Sequence, residues 1–473
     1  MNGMMKKEFK LFTPLSGEFH VFEWKVINYR LTDLDFFAFQ IQYNIARKSA
    51  SLASPTRKRL VLAICQATCT MCNILSSVSK SDRNNAQSEY ANYLVPQSFR
   101  DAFACHLYML YTIMIFTESE IKAGKALGNN TSTTGGKKSR AMNVKEKEKK
   151  VEAEQMQRLR EQCASTLLTA TSAMAQNKST LWRRGVPDEN VVGLPCRISY
   201  LILENATGVV ARKMASGDIA MKIIAMTIDS VDSLISTIVA ALVDLLHSFE
   251  HIAKLVSEMC CLVSKESENK FAIELMREIG RLDVSSGASS SETGGKASGI
   301  RNIAPFINEL AERKPRLVLE NIGLVLPHLQ SEAYNLRSAI VTAIGHILIC
   351  CTDENNEDED NECEEQENQS EGSPKKKSRT LSDNKEELFD ILLERARDVS
   401  SYTRVSVLKT WANLIENQSV PLNRLIPLTE LAIDRLQDKT VMVRRSALQV
   451  RNIYLHILSI ITYHRLNAQI NVQ

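Results

Sequence analysis

Glycine and proline are scarce in this chain, with 18 and 11 residues among 473. So few helix breakers exclude collagen-like and low-complexity classes and point to a chain that is mostly helix. Long apolar runs are also missing. The nearest, Cys105 to Phe116, is too short to cross a bilayer and carries His106. Ile223 to Phe249 is interrupted by Asp229, Asp232 and Asp244. The opening Met1 to Glu8 leads into no apolar segment, so no signal peptide is expected and the chain reads as soluble and intracellular. Phosphate loops are missing too. Gly136-Lys137 is followed by Lys138, and Gly295-Lys296 by Ala297, without the opening Gly or the Ser/Thr that would meet Mg²⁺. No Gly-x-Ser-x-Gly and no nucleophile paired with a base is present. Nothing calls for a cofactor, a small-molecule substrate, a membrane or catalysis.

Cysteine is present but uninformative. Eleven residues in irregular spacing fit a reducing compartment. Cys65, Cys69 and Cys72 fall on one helical face. Cys69 and Cys72 form a Cys-x-x-Cys without a second ligand pair, so the expectation is buried small side chains rather than zinc. His247-Ser248-Phe249-Glu250-His251 matches the His-x-x-Glu-His pattern of one zinc-peptidase group. On a helix its two His at i, i+4 could share a metal, with Glu250 beside them. Val243, Leu246 and Phe249 compete for the inward face, which favours ordinary helix-surface histidines.

The net charge of +3 hides an asymmetry. Residues 352–379 hold eleven acids and four bases, a net −7, which leaves +10 for the rest. A moderately basic remainder is compatible with nucleic-acid contact but weak evidence for it. The acidic stretch ends in Ser373-Pro374-Lys375-Lys376-Lys377-Ser378-Arg379. Ser373 fits the site preference of proline-directed kinases. Lys375, Lys376, Lys377 and Arg379 resemble a nuclear import signal, and a phosphate on Ser373 would mask it. A solvated charge run is the bland alternative.

What is present in strength is a repeat. Asp398 stands six residues before Arg404, and Asp438 six before Arg444. A Val or Ala and then a Leu follow at Arg+3 and Arg+4, and the two arginines lie 40 residues apart. A third copy surrounds Arg337, with Ser331 in the Asp position. It lies 67 residues before Arg404, a surplus about the length of the acidic stretch. A period near 40 marks stacked helix pairs, so the expected fold is all-α, a HEAT/armadillo-like α-solenoid with disordered linkers. In this template the Asp can cap the second helix. Positions Arg−1, Arg+3 and Arg+4 pack inward. The Arg reaches an Asp of its own or a neighbouring repeat. Asp398, Arg404, Asp438, Arg444 and Arg337 are thus structural positions first.

The expected organisation is a helical region over 1–121, a flexible linker over 122–150 and a helical domain over 151–283. A Ser/Gly linker over 284–299 and helix-pair repeats over 300–351 follow. An acidic disordered insert over 352–385 precedes further repeats with an atypical terminus over 386–473.

Several stretches narrow the class. They are Phe306 to Pro315, Leu326-Pro327-His328-Leu329, Tyr334 to Ala339, Phe249-Glu250-His251, Met276 to Gly280, Tyr402-x-Arg404-x-x-Val407-Leu408, and Leu431-Ala432-x-x-Arg435-Leu436-Gln437-Asp438-Lys439. In their order along the chain they resemble the condensin complex subunit 1 family, the HEAT-repeat regulatory subunits of condensin I. The resemblance is specific from about Leu181 to Gln449 and weaker before it. It implies a non-catalytic scaffold that docks on a kleisin and works with SMC ATPases and a second HEAT subunit. It further implies a nuclear and mitotic-chromosome location, with cytoplasm in interphase and with chromatin or DNA as a further contact. Members of that family are much longer, so the run from Val450 to Gln473 reads as an alternative or truncated terminus. A generic HEAT-type adaptor of transport or phosphatase type is the other reading.

Overall fold

A computed structural model describes residues 9–10, 23–24, 54–84, 95–130, 140–206, 215–282, 295–361 and 375–470. Helix dominates. The exception is a two-residue antiparallel ladder, β1 (Phe9–Lys10) with β2 (Glu23–Trp24), Phe9 lying opposite Trp24. A two-residue strand is too short to leave a periodicity in the sequence.

The chain divides into two compact units, Met1–Ile198 and Ser199–Gln473. The division falls inside the 151–283 segment that reads as one helical domain in sequence. In the first unit, α1 (Ser54–Asn84), α2 (Gln97–Asn130) and α3 (Arg140–Gln176) pack pairwise, with the short α4 (Lys178–Leu181) against α1. Their shared core holds Ile64, Leu107, Leu110, Ile113, Met114, Cys163 and Leu167, all fully buried. The division falls within α5 (Glu189–Glu204).

The second unit continues through α6 (Ala215–Ser230), α7 (Ile235–Ser248), α8 (Ile252–Cys260), α9 (Lys265–Gly280), α10 (Gly295–Arg313) and α11 (Pro315–Asn321). It ends with α12 (Tyr334–Asn361), α13 (Lys375–Arg395), α14 (Ser401–Glu416), α15 (Leu422–Arg435) and α16 (Val441–Ile470). Helices α10, α12, α14 and α16 pack side by side in one row. Helices α11, α13 and α15 pack against that row from the other side. This is the stacked helix-pair architecture the 40-residue period announces. The core between rows includes Trp411 stacked on Phe389 with centroids 5.7 Å apart. Pro315 sits in the first turn of α11, where its missing N–H costs nothing, and separates α11 from α10. Around that break Arg313 pairs with Glu258 and Glu309, and Lys314 with Glu268 at 2.8 Å. The Phe306 to Pro315 stretch is thus a packing joint.

Helix also occupies part of the three polar stretches expected as linkers. α2 runs to Asn130 and α3 starts at Arg140; α10 starts at Gly295; α12 runs to Asn361 and α13 starts at Lys375. Lys, Glu and Ala in these stretches are good helix formers, and helices already anchored by packing propagate into them. The rest of the three stretches lies outside the described residues.

Among the described residues two helices are long and apolar enough to cross a membrane, Arg57–Ser77 and Tyr334–Cys351, and the bent pair Ser216–Ser230 with Asp232–Ser248 is so when taken together. This corrects the statement that no apolar run is long enough. Most of the Tyr334–Cys351 window is packed away inside the protein, whereas about a third of Arg57–Ser77 is. In α12 Leu336, Ile340, Ile344 and Ile347 are buried, and the helix packs between α10 and α14. In α1 Val61, Ile64, Cys65 and Leu75 are buried in the first unit.

Close approach within the second unit demands glycine at two places. A Cβ on Gly280 would lie 2.5 Å from the Leu324 carbonyl oxygen, and one on Gly345 would lie 2.6 Å from Thr410 Cγ2. Gly345→Ala is therefore expected to destabilise the second unit by about 1–3 kcal/mol through overpacking. Adding Thr410→Ser removes the clashing methyl and should restore most of the loss. Urea denaturation of the single and double variants checks this, and failure of the double variant to recover would locate the cost elsewhere.

Candidate interaction site

The template residues assemble into a ladder along the row of α12, α14 and α16. Arg337 Nε and Nη2 donate to Asp398 Oδ2 and Oδ1 at 2.9 and 2.7 Å. Arg404 does the same to Asp438 Oδ2 and Oδ1, both at 2.9 Å. Each arginine therefore grips the carboxylate of the following repeat in a two-pronged pair, the geometry for which a planar guanidinium is suited. Each also turns back to its own repeat through a backbone carbonyl six residues earlier. Arg337 Nη1 donates to Ser331 O at 2.5 Å, Arg404 Nη1 to Asp398 O at 2.8 Å, and Arg444 Nη1 to Asp438 O at 2.8 Å. This explains why the copy with Ser331 works. The backward contact uses a carbonyl, which any residue supplies.

The expected cap takes a different form. The N-cap of α14 is Ser400, whose side chain makes no capping hydrogen bond. Asp398 stands two residues earlier and its Oδ1 accepts from Ser400 N–H at 2.8 Å; Asp438 accepts from Thr440 N–H at 2.9 Å. These are Asx turns, which hold the carboxylate for the incoming arginine. Inward packing holds at Arg−1, Arg+3 and Arg+4 for Arg337 (Leu336, Ile340, Val341) and Arg404 (Thr403, Val407, Leu408). At Arg444, Val443 and Ala447 are buried but Leu448 is exposed.

Two further arginines belong to the rungs. Arg395 Nη1 lies 3.8 Å from Asp398 Oδ2, and Arg435 Nη1 lies 3.8 Å from Asp438 Oδ2. The signal for them is in the sequence as Arg-x-x-Asp at both copies, ahead of the Asp-to-Arg spacing.

Burial pushes the Asp398 carboxyl up. The hydrogen bonds from Arg337 and Ser400 N–H, with the nearby Arg395, outweigh it and hold Asp398 below the usual carboxylate range. Asp438 behaves the same way with Arg404, Thr440 N–H and Arg435. The folded state thus takes up these protons less readily than the unfolded chain. The rungs contribute fully above the unfolded value of about 3.9 and lose their contribution as pH falls from there through the depressed values. Asp398→Asn should flatten this acid limb. Denaturation midpoints between neutral pH and pH about 3 test it, and a variant limb as steep as the parent's would refute the assignment.

The other candidates do not converge. His-x-x-Glu-His is not on one helix: α7 ends at Ser248, Phe249 is its C-cap, and His251 is the N-cap of α8. The i, i+4 pairing that a shared metal needs is therefore lost, and His251 Nε2 meets Leu203 O at 3.1 Å. Among the described residues no group of three or more His, Cys, Asp or Glu is placed to hold a metal. Cys65 and Cys72 are buried and Cys69 is half-buried. Burial pushes the Cys72 thiol up to about 12, far from the thiolate a metal or nucleophile requires. Ser373 lies outside the described residues. Lys375, Lys376, Lys377 and Arg379 stand in the first turns of α13.

Comparison with known proteins now discriminates among helix-pair proteins. Residues 57–237 match the family model described as non-SMC mitotic condensation complex subunit 1, N-term. The chain is similar in sequence to condensin complex subunit 1 proteins. It is 26% identical over 441 residues to the condensin-1 complex subunit CAP-D2 of Arabidopsis thaliana, covering 90% of this chain and 28% of that protein. It is 26% identical over 287 residues to condensin complex subunit 1 of Xenopus laevis, covering 60% of this chain and 19% of that protein. The chain thus spans 28% and 19% of the length of these relatives. The match begins at residue 57, well before Leu181, so the resemblance reaches further toward the N-terminus than the quoted stretches indicate. Among solved structures, a computationally designed armadillo repeat protein for modular peptide recognition aligns with a TM-score of 0.31 at 13% identity, over 56% of this chain and 94% of that one.

Proposed function

We propose that the chain is a non-catalytic scaffold subunit of a condensin complex. In this reading the helix-pair stack docks on the kleisin. It works with the SMC ATPases and a second HEAT-type subunit in condensing mitotic chromosomes, and ATP hydrolysis belongs to those partners. The observation that carries the reading is the match of residues 57–237 to the subunit's N-terminal family model, extended over 90% of the chain by the Arabidopsis relative. The ladder contributes rigidity rather than chemistry: Arg337 and Arg404 are engaged by the aspartates of the following repeats. A transport or phosphatase adaptor is the reading that a helix-pair stack alone would allow, and the relatives favour condensin over it. Affinity purification of the tagged chain from mitotic cells is expected to recover SMC and kleisin subunits in stoichiometric amounts. Recovery dominated by transport or phosphatase subunits would overturn the proposal.

The same reading places the chain in the nucleus and on mitotic chromosomes, with a cytoplasmic pool in interphase. Its moderately basic remainder suits DNA contact, and such binding should weaken steeply with salt. We assign nuclear import to Lys375, Lys376, Lys377 and Arg379 and phosphorylation to Ser373. A phosphate there would stand just before the N-terminus of α13, where a negative charge is favoured, and beside four bases. Ser373→Asp should reduce import of a fluorescent fusion; equal import would discard the masking role.

A further inference from the structure

The connection from α4 to α5 forms a stiffly held tip that presents two arginines. Trp182 is buried and anchors its first side, its backbone N–H donating to the Lys178 carbonyl at 2.9 Å. Arg183–Gly185 make a single 3₁₀ turn. Gly185 N–H donates to Trp182 O at 3.0 Å, and Val186 N–H to Arg183 O at 3.3 Å. On the far side Asp188 opens α5. Its Oδ1 accepts from Asn190 N–H at 3.0 Å, and its carbonyl accepts from Val191 and Val192 N–H, both at 3.0 Å. Pro187 fixes one further torsion between the two anchors. At the tip Arg183 and Arg184 are exposed, and Val186 is 70% exposed.

The backbone of the tip is strained. Arg184 is left-handed, with φ 58° and ψ 22°. Glycine adopts that conformation freely and asparagine tolerates it, but a long L side chain pays a steric penalty. Among the described residues only Arg184 and Gln418 combine a side chain with a positive φ. Strain kept at an exposed tip, where no core packing demands it, is a sign of a side chain in use. The fold itself makes no use of these guanidiniums. Arg313, Arg337, Arg404 and Arg424 all pair with acids, whereas among the described residues neither Arg183 nor Arg184 does.

We propose that Arg183, Arg184 and Val186 bind a short acidic segment of another protein, one in which carboxylates flank an apolar side chain. Each guanidinium presents a planar fork that fits a carboxylate in a two-pronged pair. Val186 calls for an apolar contact, which a phosphate backbone does not supply. The exposed Asp188 and Glu189 follow directly. A continuous polyanion laid across the tip would meet those two negative charges, whereas separate carboxylates can sit on the arginines alone. An acidic peptide therefore suits the tip better than nucleic acid does. Because both ends of the tip are anchored, little backbone freedom remains to be lost on binding. The inference stands on the tip itself and does not depend on which assembly the chain joins.

The test uses the full 473-residue chain and a fluorescein-labelled peptide in which Asp-Glu-Asp stands on each side of Leu-Phe. Fluorescence anisotropy is expected to show saturable binding in the micromolar range. Arg183→Gln and Arg184→Gln should each weaken it about tenfold, and Val186→Ser about threefold. Arg184→Gly separates function from structure. It relieves the left-handed strain, so the melting temperature should stay level or rise while binding falls as far as in Arg184→Gln. Circular dichroism confirms that each variant is folded. No saturable binding, or binding that Arg184→Gly leaves intact, overturns the proposal. So does a marked fall in melting temperature for Arg184→Gly, which would make the arginine structural. A short DNA duplex that displaces the peptide at equal concentrations of phosphate and carboxylate overturns it in favour of nucleic acid. Tighter binding by a peptide copying residues 353–371 overturns it in favour of the chain's own acidic stretch.

Discussion

Replacing Asp398 with alanine is expected to destabilise the second unit by about 3–5 kcal/mol, the usual consequence of stripping one partner from a buried ion pair. The Asp398 side chain is 2% exposed and that of Arg337 10%. The carboxylate accepts both prongs of Arg337 and the Ser400 N–H. Alanine leaves a buried guanidinium without a counter-charge and a backbone donor without a partner, and those penalties dominate. The net worth of the intact pair is much smaller, because burying both charges costs most of what their attraction returns. Arg337→Met with Asp398→Leu should therefore lie close to the parent or above it. Arg337→Lys should fall well below it, since an ammonium cannot make the two-pronged contact. The Lys270–Asp232 pair, with both side chains more than 60% exposed, supplies the control. Asp232→Ala should shift stability by no more than about 1 kcal/mol. Hydrogen exchange of α12 and α14 under urea would report these values. An Asp398→Ala variant within about 1 kcal/mol of the parent would show that the ladder is decoration.

The second large effect is expected in the first unit. Glu118 on α2 accepts from both Nε and Nη2 of Arg160 on α3, and the two side chains are 2% and 1% exposed. No other charged pair among the described residues is so completely enclosed. Glu118→Ala should cost about 3–5 kcal/mol, confined to the first unit. Glu118→Gln should fall between alanine and the parent, because it keeps one acceptor and loses the charge. Exchange protection lost across α1, α2 and α3 with α12 to α16 unaffected is the expected pattern. Loss in both units together would mean that they unfold as one.

Much of this was legible without coordinates. The 40-residue spacing of Arg404 and Arg444 announced helix pairs, because a stacked repeat must place the same side chain at the same point of each unit. Inward positions such as Val407 and Leu408 followed from helical periodicity. The extent of helix into the polar stretches was less legible, since anchored helices propagate through residues whose own preference is weak.

The sequence by itself determined the period, the helical class and the residues that recur: Asp398, Arg404, Asp438, Arg444 and Arg337. Spacing along one helix is local and survives in the primary structure. Only the tertiary structure decided that Arg337 and Arg404 reach forward to the next repeat, that Ser331 serves through its carbonyl, and that Asp398 forms an Asx turn rather than a cap. It also decided that His247 and His251 sit on different helices, and that Glu118 faces Arg160 across 42 positions. Those outcomes depend on where one helix lies against another, and a single chain of residue types does not encode that distance in any local pattern.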